Sequence, residues 1–233
     1  MRSSRAVILS IIMALILPFL SCKDETKHDE GAASPPTSGP ASDSVYARLL
    51  LTHVREHYDD LHDVAMRYHH EDHTLGGRIE TELTWEDQIL KSADVLSNET
   101  GSEELAQALI DRIAEWKIEG LAGPYKVLLP IKVRLAGIDD PDFLNRAILS
   151  GKITDSGGNP IDGAVISFKP QQEDQGAVPD AVTNREGIFI RTLIPPGRWT
   201  LECSHDDYNT AVAEQMSLTA GGHTRQDIVL TKR

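Results

Sequence analysis

From Ile148 to Lys232 the apolar residues come in short alternating runs, separated by turn residues every eight to twelve positions. That spacing predicts an all-β sandwich, because a two-residue period places one face of each strand in a core and each turn cluster reverses the chain. Ala164, Ile166 and Phe168 share one strand face, and Gly157-Gly158-Asn159-Pro160 reads as a turn. Pro196-Gly197 turns the chain into Trp199, Leu201 and Cys203, which alternate onto one face and mark Cys203 as a small core residue.

The preceding stretch has a different rhythm. Leu50, Val54, Tyr58, Leu61, Ala65 and Tyr68 recur at helical spacing, which predicts a single apolar-faced helix capped at Asp43 or Ser44 and ended by Gly76-Gly77 at the latest. Ile79, Thr81, Leu83 and Trp85 then alternate with polar residues, as a half-buried strand does. Glu86-Asp87-Gln88 is a turn, Ile89 to Leu96 a second strand, and Thr100-Gly-Ser-Glu103 fits a capping box opening a helix buried through Leu105, Leu109, Ile113 and Trp116. A third strand alternates from Tyr125 to Leu135, with Pro130 favouring a sheet edge. Ala136 to Asn145, with Asp139-Asp140-Pro141-Asp142, is an acidic connection. The fold class is thus α+β: an N-terminal αββαβ domain over residues 45–137, then an all-β sandwich over residues 148–233.

Two resemblances follow from these residues. Gly151-Lys-Ile-Thr-Asp155, Gly158 to Ala164, Thr183-Asn184 with Gly187-Ile-Phe189, Pro196 to Leu201 and Tyr208 resemble the carboxypeptidase regulatory-like domain, which implies a transthyretin-like or Ig-like sandwich. Trp199 replaces that family's usual Tyr. Gly77-Arg78-Ile79, the strand ending at Val95, the Leu105-to-Trp116 helix and Val127-Leu128-Leu129-Pro130 resemble the C-terminal domain of TonB-type transducers and their AgmX/PglI-like relatives. That resemblance implies an exposed sheet edge able to pair with an extended peptide. It does not imply energy transduction, since those transducers keep an uncleaved membrane helix and this chain begins differently.

Arg2 and Arg5 precede an apolar run from Ala6 to Leu20, too short for a comfortable membrane span, and the run stops at Leu20-Ser21-Cys22. Residues 1–22 resemble a bacterial lipoprotein signal peptide with Cys22 as the lipidated residue, although Phe19 stands where the lipobox usually has Leu. Residues 23–44, rich in Gly, Ser, Pro and Ala, are expected to be a flexible tether. Lys23 after the cysteine lacks the Asp that signals inner-membrane retention in some bacteria, so the expected site is the outer membrane of the envelope. The net charge is −13, and losing Arg2 and Arg5 with the leader makes it −15. Such a surface disfavours nucleic acid as a partner and repels anionic lipid, leaving the lipid anchor as the route to the membrane.

His53, His57, His62, His69, His70 and His73 crowd a segment that also holds Glu56, Asp59, Asp60, Asp63, Glu71 and Asp72. Imidazoles beside carboxylates suit Zn²⁺ or Cu²⁺, but at about 100° per residue only His53 and His57 clearly share a helical face. Any metal site would be weak and open, completed by water, Glu56 or Asp60, and the favoured reading is a solvated acidic face with incidental histidines. His53-Val-Arg-Glu56 matches the His-x-x-Glu pair of zinc peptidases, but no large catalytic domain accompanies it. The sequence therefore points to no enzyme, no catalytic residue and no cofactor. It suggests an envelope lipoprotein acting as a non-catalytic binding or scaffold module for an unidentified protein partner. The alternatives are periplasmic metal binding and carbohydrate binding, the latter needing exposed aromatics where Trp199 and Phe189 are expected to be buried.

Overall fold

The computed structural model describes residues 40–172 and 175–233. Cys22, the leader and most of the tether lie outside them. Two helices open the described chain, α1 (Pro40–Glu56) and α2 (Tyr58–Glu71), where the sequence predicts one. The first begins at Pro40, earlier than Asp43, and proline suits a first helical turn because its φ is preset and its missing N–H would have no partner there. The helical path breaks at His57, which takes φ −103° and ψ 16°. There the imidazole Nδ1 pairs with Asp60 Oδ2 at 2.8 Å and the ring stacks on Trp116, so His57 serves as the entry to a new helix.

Next come β1 (Gly77–Glu86), β2 (Ile89–Asn98), α3 (Glu103–Ala114) and β3 (Tyr125–Val133), giving the order α-α-β-β-α-β. The three strands form an antiparallel sheet in the order β2-β1-β3. Ile79, Leu83 and Trp85 of β1 and Val127, Leu129, Ile131 and Val133 of β3 share the core with Leu61, Val64 and Ala65 of α2 and Leu105, Leu109 and Ile113 of α3. Each such side chain stabilises the fold by roughly 1.5–3 kcal/mol relative to exposure. Pro130 sits on an edge strand, where its missing N–H breaks no ladder. The capping box is a correction: Ser102 caps α3, its Oγ accepting from Leu105 N at 3.0 Å, while Thr100 Oγ1 donates to Asn98 Oδ1 at 2.7 Å.

A connecting segment with a short 3-10 turn (Phe143–Asn145) leads into β4 (Ala147–Asp155), β5 (Val165–Pro170), β6 (Ala181–Val182), β7 (Ile188–Ile194), β8 (Gly197–His205), β9 (Tyr208–Leu218), β10 (His223–Arg225) and β11 (Ile228–Leu230). In one sheet β4 pairs antiparallel with β7 and, in parallel, with β10 along its first half and β11 along its second. The other sheet runs β6-β5-β8-β9. Where the chain crosses from β10 to β11 it presses on Gly151 of β4, since a Cβ there would fall 1.9 Å from the Gln226 carbonyl oxygen. Phe189, Trp199, Leu201 and Cys203 are fully buried between the sheets, and Trp199 Nε1 donates to the Pro195 carbonyl at 2.9 Å. No described helix is long and apolar enough to cross a membrane.

Candidate functional site

The polar side of α2 faces the sandwich, not solvent. With Leu61 set at the centre of the core-facing stripe, Met66, His70 and Asp63 fall about 140°, 180° and 200° round the helix. All three are buried. Leu61, Val64 and Ala65 bind the helix to its own sheet, and β7 packs against it from the other domain. This overturns the solvated-face reading for these residues, although Glu56, Asp59, Glu71 and Asp72 are exposed.

At one end of this seam Arg185, in the turn before β7, reaches α2. Its Nε donates to Asp63 Oδ2 and its Nη2 to Asp60 Oδ1, both at 2.7 Å. Burial alone would raise the Asp60 pKa, but hydrogen bonds from His57 and Arg185 outweigh it and hold that carboxyl below its ordinary range. The same bonds raise the Arg185 pKa. The fork suits a planar guanidinium, which can serve two carboxylates at once.

At the other end the fully buried hydroxyl of Ser150, on β4, lies 2.9 Å from His70 Nδ1 and 2.8 Å from His223 Nε2. A hydroxyl carries one proton, so it donates to one imidazole and accepts from the other, an arrangement that suits two neutral rings. His73 lies against His223 with ring centroids 4.7 Å apart. Arg225 Nε and Nη2 donate to the His70 carbonyl at 2.8 and 2.6 Å, and Nη2 also meets Glu71 at 2.7 Å. Burial, followed by the nearby His73, Arg225 and His70, pushes His223 down to about 4. Burial and Arg225 lower His70 in the same direction.

His69 is the oddity of the segment. It is 1% exposed, both ring nitrogens are buried without a hydrogen-bond partner, and burial pushes its pKa down to about 4.

The expected pair His53 and His57 is brought together, with ring centroids 4.3 Å apart, and both rings lie on Trp116. Burial and then His57 lower the His53 pKa, and Asp60, one of the carboxylates expected to complete a site, is already engaged by His57 and Arg185. Among the described residues no group of three His, Cys, Asp or Glu is placed to hold a metal ion. Cys203 is a free buried thiol whose pKa burial raises to about 11, in keeping with the core position read from its strand. Sequence reasoning passed over Ser150, Arg185, His223 and Arg225, and counted Asp63 among the carboxylates of a solvated face. Their partners lie 73 to 155 residues away in the chain, and no local pattern announces such pairs.

A second surface lies on β2, an edge strand. Ile89, Val95 and Leu96 are 44%, 43% and 55% exposed. Ser97 pairs with Glu80 and Val95 with Thr81, so Leu96 is an extra residue in the strand, a bulge. Apart from the single bridge between Ile89 and Lys117, no described strand pairs with the outer side of β2.

In the second domain Gly158, Gly163 and Gly187 take positive φ at the turns between strands. Residues 148–231 match the carboxypeptidase regulatory-like domain. No curated protein matches the sequence. Solved structures similar to the chain include a chain of a type II cohesin–X–dockerin complex from Acetivibrio cellulolyticus, at 22% identity and TM-score 0.30 over 36% of this chain and 56% of that one. A DUF3823 family protein from Parabacteroides merdae matches at 13% identity and TM-score 0.29, over 37% of this chain and 46% of that one. A 3-chlorocatechol 1,2-dioxygenase from Rhodococcus opacus matches at 13% identity and TM-score 0.32, over 40% and 62%. Each match spans less than two thirds of the other chain, and likenesses this distant carry no argument about activity. The carboxypeptidase regulatory-like domain contributes Ser150, Arg185, His223 and Arg225 to the seam, and the α+β domain contributes α2.

Proposed function

We propose that the chain is a bacterial envelope lipoprotein, anchored through Cys22 in the outer membrane, whose two domains form a non-catalytic binding or scaffold module for a protein partner. The observation that carries this reading is the edge strand β2, with its exposed apolar side chains and an outer side that, among the described residues, no strand pairs with beyond the bridge at Ile89. An extended segment of a partner would add as a further strand there, its main chain supplying hydrogen bonds and its side chains meeting Val95 and Leu96. This is the binding mode that the resemblance to transducer C-terminal domains implies. The seam along α2 supports the scaffold part of the reading, because ion pairs and a shared hydroxyl tie the partner-facing domain to the sandwich.

The test is cross-linked capture from envelope extract by the wild-type chain and by Val95→Lys and Leu96→Lys variants, alongside membrane fractionation of Cys22→Ala. The reading expects a partner held by the wild type and lost with either lysine, and a Cys22→Ala chain that leaves the lipid-anchored fraction. Capture unaffected by both lysines would remove the edge-strand mode, and unchanged lipid labelling of Cys22→Ala would remove the anchor.

A further inference from the structure

At one end of the seam three imidazoles and a guanidinium gather from the two domains. His70 and His73 come from the end of α2 and the turn after it, and His223 and Arg225 from β10 of the sandwich. The joint between them is the fully buried hydroxyl of Ser150, 2.9 Å from His70 Nδ1 and 2.8 Å from His223 Nε2. Its one proton serves the lone pair of one ring, and the other ring must bring its own N–H. The joint is complete only while both rings are neutral. A proton added to the accepting ring makes both rings donors, and the buried hydroxyl proton then has no acceptor. A proton added to the other ring keeps the bond but sets a cation near Arg225.

The carboxylates facing the joint are engaged. On the α2 side, Glu71 holds Arg225 at 2.7 Å, and Asp72 Oδ1 accepts from Thr74 N and Oγ1 at 2.9 and 2.6 Å. On the sandwich side, Asp227 Oδ1 accepts from the Lys152 backbone N–H at 2.7 Å, while the Lys152 ammonium opposes a charge on His70. His73 opposes one on His223, and the neighbouring His69, deeply buried on α2, feels Asp72, His62 and His73. The far end of the seam is built differently. There Arg185 joins Asp60 and Asp63, and Arg67 lies 3.5 Å from Glu186. These pairs unite opposite charges, and with Asp60 held below its ordinary range, mild acid leaves its pairing in place.

We infer that the Ser150 joint is an acid-operated latch between the domains: proton uptake by His70 or His223 breaks it and parts the end of α2 from the sandwich. Burial lowers both rings from the ordinary value, His223 to about 4. The parted form therefore takes up the proton first as pH falls, so closure is fully favoured above about pH 6.5 and is lost progressively towards pH 4. Between pH 7.5 and pH 5, a ring released from about 4 to about 6.5 shifts the opening equilibrium roughly 25-fold, and His223 alone supplies that much.

The probe is Met66, buried on the sandwich-facing side of α2, and the reagent is hydrogen peroxide, which attacks a thioether that carries no titrating proton. Full-length protein is treated at pH 7.5 and at pH 5, and sulfoxide is followed by mass spectrometry at Met66 and at Met216, which packs on the sandwich core from β9. Met66 should oxidise at least about tenfold faster at pH 5, with Met216 changing by less than about twofold. A His70→Asn, His223→Gln double variant sets amides where Nδ1 and Nε2 stand, keeps partners for Ser150 and takes up no proton there. It should lose most of the acceleration. Met66 oxidation equal at the two pH values overturns the inference. So does Met216 accelerating in step with Met66, which is general unfolding, or an acceleration undiminished in the double variant. The first two outcomes are read on the wild type alone and decide the matter if the variant does not fold.

Discussion

Replacing His69 with leucine should make the protein more stable and less sensitive to acid. The imidazole is 1% exposed and neither ring nitrogen has a partner, so the folded state holds a polar ring without compensation. Removing such a group in favour of an apolar one of similar size is worth about 1–3 kcal/mol at neutral pH. Acid adds to this. The folded pKa of about 4 lies below the ordinary 6.5, so the unfolded chain takes up the proton first as pH falls. The stability that the neutral ring contributes is complete above about pH 6.5 and is lost progressively between 6.5 and 4. Each pKa unit is about 1.4 kcal/mol, so at pH 5 the wild type should have lost roughly 2 kcal/mol through this residue alone. His70 and His223 are lowered in the same direction and will leave the variant with a residual slope. Urea unfolding of wild type and His69→Leu at pH 7.5 and pH 5 measures both effects. The gap between the two proteins should be about 2 kcal/mol wider at pH 5. A gap equal at both values would refute the reasoning, because it would mean that His69 does not stay neutral on folding.

Gly151→Ala should destabilise the sandwich by more than about 3 kcal/mol, since the added methyl meets backbone at Gln226 and the ring of Phe189, and thermal unfolding will show whether the crossing can shift aside. Cys203 should resist thiol reagents at pH 8 in the native protein and react promptly in denaturant, because burial raises its pKa to about 11; rapid native labelling would contradict its core position. Titration with Zn²⁺ and Cu²⁺ should give weak binding that a His53→Ala, His57→Ala double variant leaves unchanged, since Asp60 is engaged elsewhere and, among the described residues, no group of three ligands is placed to hold a metal ion. Tight stoichiometric binding lost in that variant would bring metal handling forward.

What could be read in the sequence was what depends on short-range period. Alternation located β1 and β3 and put Trp199, Leu201 and Cys203 on one buried face, and helical spacing found the stripe Leu105, Leu109, Ile113 and Trp116. Proline at 130 marked a sheet edge correctly because its missing N–H is a local fact. The break at His57 was not legible, because no glycine or proline stands there and the cause is a stack on Trp116, 59 residues on. Thr100 was mistaken for a helix cap because Ser102, two residues later, is as good a cap and reaches Leu105 N. The largest error concerned α2. A helix polar along one side reads as solvated, yet Arg185, Ser150 and Arg225 return from the far half of the chain to satisfy that side. Periodicity reports that a face is polar; it cannot report whether water or another domain answers it.

The claim on which the rest depends is that α2 is the seam between the domains. A double-mutant cycle on Asp63→Ala and Arg185→Ala, read by urea unfolding, tests it most directly. Asp63 is buried and Arg185 reaches it across the seam with a 2.7 Å hydrogen bond, while the guanidinium is about half exposed, so solvent screening holds the coupling to about 1–3 kcal/mol. A coupling of that size, with the two domains unfolding in one transition, is the expected result. Additive single effects, with two separate unfolding transitions, would contradict it and return the histidine-rich segment to solvent.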